Sequence, residues 1–355
     1  MATPTDTLHF LDAVAGLPEQ LAAAYAAAVP QIQAAVAAGR LPAPDAIDNV
    51  VVLGMGGSGI SGDVLASVAN STLPVPVTVL KQYRVPKFVG PRTLAFAMSY
   101  SGGTEETESM AEAVVAQGAS LVVVSKGGRL GALAARSGAV HVSCPDGYLP
   151  RAALGTLIAP LFATLEGVGM LPDASRWIAD AHTQLASRRD RCVPDIVGPA
   201  NPAREIARRI DRTFPLVYGG GALGAVAAMR WKCDINENAK APAFWNTYPE
   251  LDHNEICAWG QHGDVTRQLM TIVELRHGFE HEQLEPRFAI TRELMRETVH
   301  DILEVRAEGT GRLAQLLDLM YVGDWVSCYL AFDNDVDPGP IDAIFELKDQ
   351  LAGLT

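Results

Sequence analysis

At 355 residues the chain is long enough for two domains or one large one, and 48% hydrophobic with 19% charged residues suits a globular protein with a sizeable core. A formal charge of −13 argues against nucleic-acid binding, which needs clustered Lys and Arg, but leaves room for a locally positive site that takes a small anion. Cys144, Cys192, Cys233, Cys257 and Cys328 are scattered, with no C-x-x-C pair, and read as free thiols in a reducing compartment.

The N-terminus, MATPTDTLHFLDAVAGLPEQ, carries Asp6 and Asp12 and lacks the basic-then-apolar order of a signal peptide, so a cytoplasmic location is expected. Residues 1–47 read as alanine-rich helices, LPEQLAAAYAAAVPQIQAAVAAG having apolar positions at helical spacing before a glycine. The character then changes. NVVVLGMGGSG, VPVTVLKQY, RTLAFAMSYSGG and ASLVVVSKGG are short β-rich runs with helical patterns between them, which predicts βαβ units and a parallel sheet covered on both faces. AALGTLIAPLFATLEGVGML, residues 152–171, is the least polar run. Pro160, Glu166 and its glycines mark it as a buried helix rather than a membrane span.

Residues 171–202 are helical and charged, then rich in Pro and Gly, and suit a linker. Beyond it the β/α pattern restarts with FPLVYGGGALG, followed by a helix, a strand around LMTIVELR and a helix near the C-terminus. Gly54, Gly56 and Gly59 of the first glycine loop match Gly219, Gly221 and Gly224 of the second, each after a strand and before a helix. The repeat predicts two related α/β subdomains, at 48–170 and 203–335, with the helical segment 1–47 before them and a C-terminal helix at 336–355.

GMGGSG satisfies G-x-G-x-x-G, the phosphate turn of dinucleotide folds. Such a fold also needs an acidic residue at the end of the next strand, and here that strand ends in Lys81 and Gln82. A nicotinamide enzyme is therefore a distant reading. SYSGGTEET is more informative: Ser99 and Ser101 alternate at a strand end, Thr104 stands at a helix N-cap, and the first-turn N–H groups add donors. Hydroxyls and amides without a lysine suit a phosphate monoester. An ordinary serine-rich turn is the plain alternative.

GMGGSGISGD, SYSGGTEET and PRAALG (residues 150–155), in that order, resemble the sugar isomerase (SIS) domain, a flavodoxin-like fold that binds phosphosugars. NEN-K and PELDHNE further on resemble the second SIS domain of the bifunctional phosphoglucose/phosphomannose isomerases. The resemblance spans nearly the whole chain and implies an α/β protein of two flavodoxin-like SIS subdomains. It implies an aldose–ketose isomerase interconverting fructose 6-phosphate with glucose 6-phosphate, mannose 6-phosphate or both through an enediolate, with no cofactor and no metal. It assigns Gly57, Ser58, Ser99, Ser101 and Thr104 to the phosphosugar, Glu237 to the base, His253 and Lys348 to ring opening, and Arg151 to steadying the enediolate. In this family the histidine comes from the partner subunit, which implies a homodimer with a shared active site.

Read from the residues alone, each role keeps an alternative. Glu237 could be a helix-end acid paired with Lys232 or Lys240, and His253 an ordinary loop residue. Glu250 and Glu255 could rival the base or orient His253, and Arg151 could lie on the surface. Lys348 shares a helical stripe with Ile341, Ile344, Phe345 and Ala352, a pattern that a snorkelling lysine also gives. The phosphate loop reads SGGT where the family usually has SGNT, so Gly103 puts substrate preference in question. The second glycine loop lacks a following Ser/Thr cluster, which predicts one phosphate site per subunit. HGFEH, residues 277–281, fits an H-x-x-E-H zinc pattern, but Gly278 is poor inside a ligand helix. Two other functions stay open: a phosphosugar-binding protein without catalysis, and an SIS isomerase acting on another sugar phosphate. No nucleic-acid or membrane partner is expected.

Overall fold

The computed structural model describes residues 5–353. Two short-linked helices, α1 (Phe10–Ala15) and α2 (Leu17–Ala37), lead into alternating strands and helices. These are β1 (Asn49–Leu53), α3 (Gly56–Ala69), β2 (Val77–Leu80), β3 (Thr93–Met98), α4 (Glu105–Ala116), β4 (Ser120–Ser125), α5 (Gly128–Ser137) and β5 (Val140–Ser143). Two helices follow, α6 (Leu154–Gly167) and α7 (Ala174–Cys192), then α8 (Pro202–Ile210). The alternation resumes with β6 (Phe214–Gly220), α9 (Gly221–Asn238), β7 (Phe244–Tyr248), α10 (Gly263–Leu269), β8 (Met270–Arg276), α11 (Leu284–Met295) and β9 (Asp301–Arg306). Two helices, α12 (Arg312–Asp333) and α13 (Asp342–Ala352), complete the described chain.

These elements form two compact units: Gly16–Ala186 with Gly309–Gln315, and the remaining described residues. The first holds a five-stranded sheet in the order β2-β1-β3-β4-β5, all neighbours parallel. The second holds a four-stranded parallel sheet, β7-β6-β8-β9. The expected pair of flavodoxin-like parallel sheets is present, and the second repeats the first strand for strand as far as it goes.

The glycine loops repeat at the level of backbone angles. Gly56 and Gly221 both take positive φ, +51° and +60°, where a side chain would be strained. A Cβ on Gly59 would lie 2.6 Å from the Gly54 carbonyl oxygen, and one on Gly219 would lie 2.0 Å from that of Gly224. In both units a glycine pair lets the strand end turn directly into its helix.

β1, β3 and β4 are buried on both faces, as continuous apolar strands in a parallel sheet should be. The apolar run near residue 160 is the buried helix α6. Three strands differ from the sequence expectation, because β5, β7 and β9 were not anticipated. All three lie at sheet edges, where polar and charged side chains interrupt the β pattern. Among the described residues no helix is long and apolar enough to cross a membrane.

Candidate active site

In a doubly wound sheet the ligand crevice opens at the carboxyl ends of the strands, where the strand order reverses. In the first unit that point lies between β1 and β3, whose ends align Leu53 with Ala97. The chain leaves β1 as the Gly54–Gly59 loop, and leaves β3 as Ser99–Thr104. Gly57 and Ser58 sit half-exposed in the first turn of α3, a helix of fourteen residues, so their amides lie at its positive end.

Ser99 is buried, and its Oγ lies 2.8 Å from Thr104 Oγ1 and accepts from Gly102 N at 3.1 Å. Thr104 is the N-cap residue of α4 but caps no backbone N–H; its hydroxyl turns to Ser99 instead. Ser101 is exposed and accepts from Gly103 N at 3.3 Å. The loop therefore pairs Ser99 with Thr104 and leaves Ser101 outermost.

The loop is braced from behind by the residues after β4. Lys126 N donates to Tyr100 O at 2.9 Å, Leu130 N to Gly102 O at 3.0 Å, and Arg129 Nη2 to Gly103 O at 3.1 Å. The Tyr100 hydroxyl donates to Pro145 O at 2.8 Å and accepts from Tyr148 N at 2.9 Å. A Cβ on Gly103 would meet nothing nearer than Ser101 Oγ at 3.9 Å, so glycine is not sterically required there.

Arg151 lies on the 3₁₀ turn Pro150–Ala152, which packs against α3, and only 3% of it is exposed. It is not a surface arginine. Gln20, from α2, fixes this turn: its Nε2 donates to Ala152 O at 2.9 Å, and its Oε1 accepts from Gly155 N at 2.6 Å and Thr156 N at 3.2 Å. Nothing in an alanine-rich helix marked Gln20, since its partners lie more than 130 residues away.

In the second unit Glu237 stands in the last turn of α9 and lines a cavity of about 580 Å³ with Lys240, Val336, Asp337, Ile341 and Ile344. The Lys240 ammonium donates to the carbonyls of Asn238, Asp337 and Pro338 at 3.2, 2.9 and 3.2 Å. Helix α9 runs back along the sheet, so Glu237 lies at the end where the strands begin. His253 lies beyond the opposite end, on the 3₁₀ turn Glu250–His253 that follows β7. That turn is pinned by buried Leu251 and by Asp252, which accepts from Arg287 at 2.9 Å and Thr291 at 3.0 Å, while His253 is exposed.

Glu255 accepts from the Tyr218 hydroxyl and from Asn246 Nδ2 at 2.5 Å, and Glu250 accepts from Asn254 at 2.9 Å. Burial, with the Glu255 carboxylate next, drives the Tyr218 hydroxyl far above its usual pKa, so it remains a donor. Lys348 is exposed on α13, beside exposed Phe345 and Leu347.

The matching crevice of the second unit is filled. His277 Nε2 donates to Gly220 O at 2.8 Å, and a Cβ on Gly220 would lie 2.9 Å from Glu280 Oε1. Glu280 is in turn paired with Arg276 at 2.7 Å. The HGFEH residues thus have protein partners, and among the described residues no three His, Cys, Asp or Glu side chains gather as metal ligands.

Over 341 residues the chain is 34% identical to the bifunctional phosphoglucose/phosphomannose isomerase of Caldicellulosiruptor bescii, a match covering 96% of this chain and 98% of that one. The chain belongs to the bifunctional phosphoglucose/phosphomannose isomerase family. A second member of that family, from Aquifex aeolicus, is 31% identical over 85% of this chain and 90% of its own. The family model for the bacterial phospho-glucose isomerase C-terminal SIS domain matches residues 199–351, the stretch that holds Glu237, His253 and Lys348. The fold reaches beyond this isomerase family. The C-terminal domain of glucosamine-fructose-6-phosphate aminotransferase from Francisella tularensis superposes with a TM-score of 0.70 at 13% identity, covering 93% of this chain and 97% of that one.

Proposed function

We propose that the protein is an aldose–ketose isomerase that interconverts fructose 6-phosphate with glucose 6-phosphate and mannose 6-phosphate. The observation that carries the reading is the Ser99–Thr104 hydroxyl pair, 2.8 Å apart, at the switch point of a parallel sheet in a chain of this family. The phosphate is held there by Ser99, Ser101 and Thr104, with the first-turn amides of Gly57 and Ser58.

Isomerisation requires ring opening, proton transfer between C1 and C2, and stabilisation of the enediolate between them. Glu237 moves the proton, His253 and Lys348 open the ring, and Arg151 steadies the enediolate. Both aldoses share one enediolate, so the face that is reprotonated decides the product. None of these steps requires a metal or an organic cofactor.

The protein acts as a cytoplasmic homodimer in which His253 serves the partner's Glu237. Two features support this. Glu237 and His253 flank opposite ends of β7, a strand of five residues that spans roughly 16 Å. And His253 stands exposed on a turn whose neighbours Leu251 and Asp252 are fixed inward.

The test is to follow fructose 6-phosphate by NMR in the presence of the purified protein, with glucosamine 6-phosphate as a competing substrate. Glucose 6-phosphate and mannose 6-phosphate should both appear. Line broadening of the phosphosugar without turnover would instead identify a binding protein, and turnover of the amino sugar alone would identify a different SIS isomerase.

A further inference from the structure

The last turns of α9 carry Arg230, Asp234 and Glu237, each about one turn from the next. Arg230 is buried between two carboxyl groups: its Nε lies 2.6 Å from Asp234 Oδ2, and its Nη2 lies 2.9 Å from Asp324 Oδ1. Asp324 comes from α12, which is bolted to α9 at the same level. Asn238 Nδ2 donates to Ser327 Oγ at 2.9 Å, Ser327 Oγ donates to the Asp324 carbonyl at 2.7 Å, and Trp231 Nε1 donates to Leu319 O at 2.7 Å.

Two buried carboxylates against one guanidinium would leave an uncompensated charge in the interior. Such a group takes up a proton rather than stay ionised. Asp234 is the one placed to do so. Asp324 accepts two hydrogen bonds from Arg230, whereas neither Asp234 oxygen accepts a well-directed one. Burial pushes Asp234 well above the usual carboxylate range, and the charges of Asp324 and Glu237 add to this against the pull of Arg230.

We propose that Asp234 and Asp324 share one proton beside Arg230, and that this neutral triad is the electrostatic floor beneath Glu237. The proposal rests on the reading of Glu237 as the base, and it makes the three residues positioning groups that never touch substrate. Glu237 is felt by both Arg230 and Asp234. The other charges near it are Lys240, already bound to three carbonyls, and Asp337 and Asp342 across the cavity. Asp337 is itself held by Thr7 and Gly339 N. Those groups border the open cavity and are screened by salt, while the triad is not.

The test compares the wild type with Asp234→Asn, Asp324→Asn, the double variant and Glu237→Gln, by pH–rate profile and by infrared spectroscopy. With one proton shared, either single substitution leaves a triad of zero charge, because the remaining carboxylate balances Arg230. The acid limb of kcat should therefore overlay the wild type in both. The double variant leaves Arg230 unbalanced, and its acid limb should move down by about one pH unit. A protonated-carboxyl band at neutral pH should be present in the wild type and in Glu237→Gln, and absent from each single variant.

A downward shift in the single variants would mean that both carboxyls are ionised, and would overturn the proposal. An unmoved limb in the double variant would reduce the triad to a structural anchor. If the variants do not fold, a wild type without the protonated-carboxyl band overturns it still. Full activity in Glu237→Gln would instead remove Glu237 as the base, and with it the role of the triad, while the infrared result still reports on the shared proton.

Discussion

Thr104 stands at the N-cap of α4 yet turns its hydroxyl to Ser99, 2.8 Å away, and so leaves the first-turn N–H groups for a ligand. An ordinary capped turn would instead spend the hydroxyl on a backbone N–H. Thr104→Val keeps the shape and removes the hydroxyl. Losing a hydrogen bond to a charged phosphate should raise KM for fructose 6-phosphate about 10- to 100-fold with little change in kcat. An unchanged KM would show that the hydroxyl serves only the loop. The hydroxyls of Ser99, Ser101 and Thr104 stood out in the sequence as a cluster at a strand end, with an ordinary serine-rich turn as the alternative. That Ser99 and Thr104 are the pair in contact was not legible, since the turn places residue 99 against residue 104.

At the scale of elements, three of the four edge strands, β5, β7 and β9, were hidden. β9 reads DILEVR and β7 reads FWNTY, and each mixes polar or exposed aromatic side chains into its pattern because a sheet edge meets solvent or a partner. Phe244 and Trp245 remain exposed in β7, so their aromatic signal did not report a core. The mixture in that stretch has a structural origin: β7 and the turn after it, which presents His253 outward while Leu251 and Asp252 hold it down. The junction of the Arg151 turn with α6 depends on Gln20 in the same hidden way. Gln20→Leu would leave the Gly155 and Thr156 N–H groups buried without an acceptor, a loss of about 1–3 kcal/mol. Thermal unfolding should register this as a lowered Tm, whereas Gln31→Ala, exposed on the same helix, should stay within about 0.5 kcal/mol of wild type. Equal stabilities would show that Gln20 is not the clamp.

At the scale of the whole molecule, one strand order is used twice with different outcomes. The first sheet carries the Ser99–Thr104 loop at its switch point between β1 and β3, and the second places His277 and Glu280 at the equivalent point. The second unit instead offers side chains away from its crevice: Glu237 where the strands begin, His253 beyond where β7 ends, and Lys348 on α13. The matched glycines made the repeat readable from sequence, while the divergence depends on contacts such as His277 with Gly220, 57 residues apart in the chain, that only folding brings together.

The most direct test of Glu237 as the base is to run fructose 6-phosphate in D₂O with the wild type and with Glu237→Gln, reading deuterium at C2 of the aldose products by NMR. The wild type should yield glucose 6-phosphate and mannose 6-phosphate carrying deuterium at C2, and Glu237→Gln should yield neither product. Turnover that survives in Glu237→Gln would contradict the assignment of the base, and products free of deuterium would contradict a solvent-exchanging enediolate.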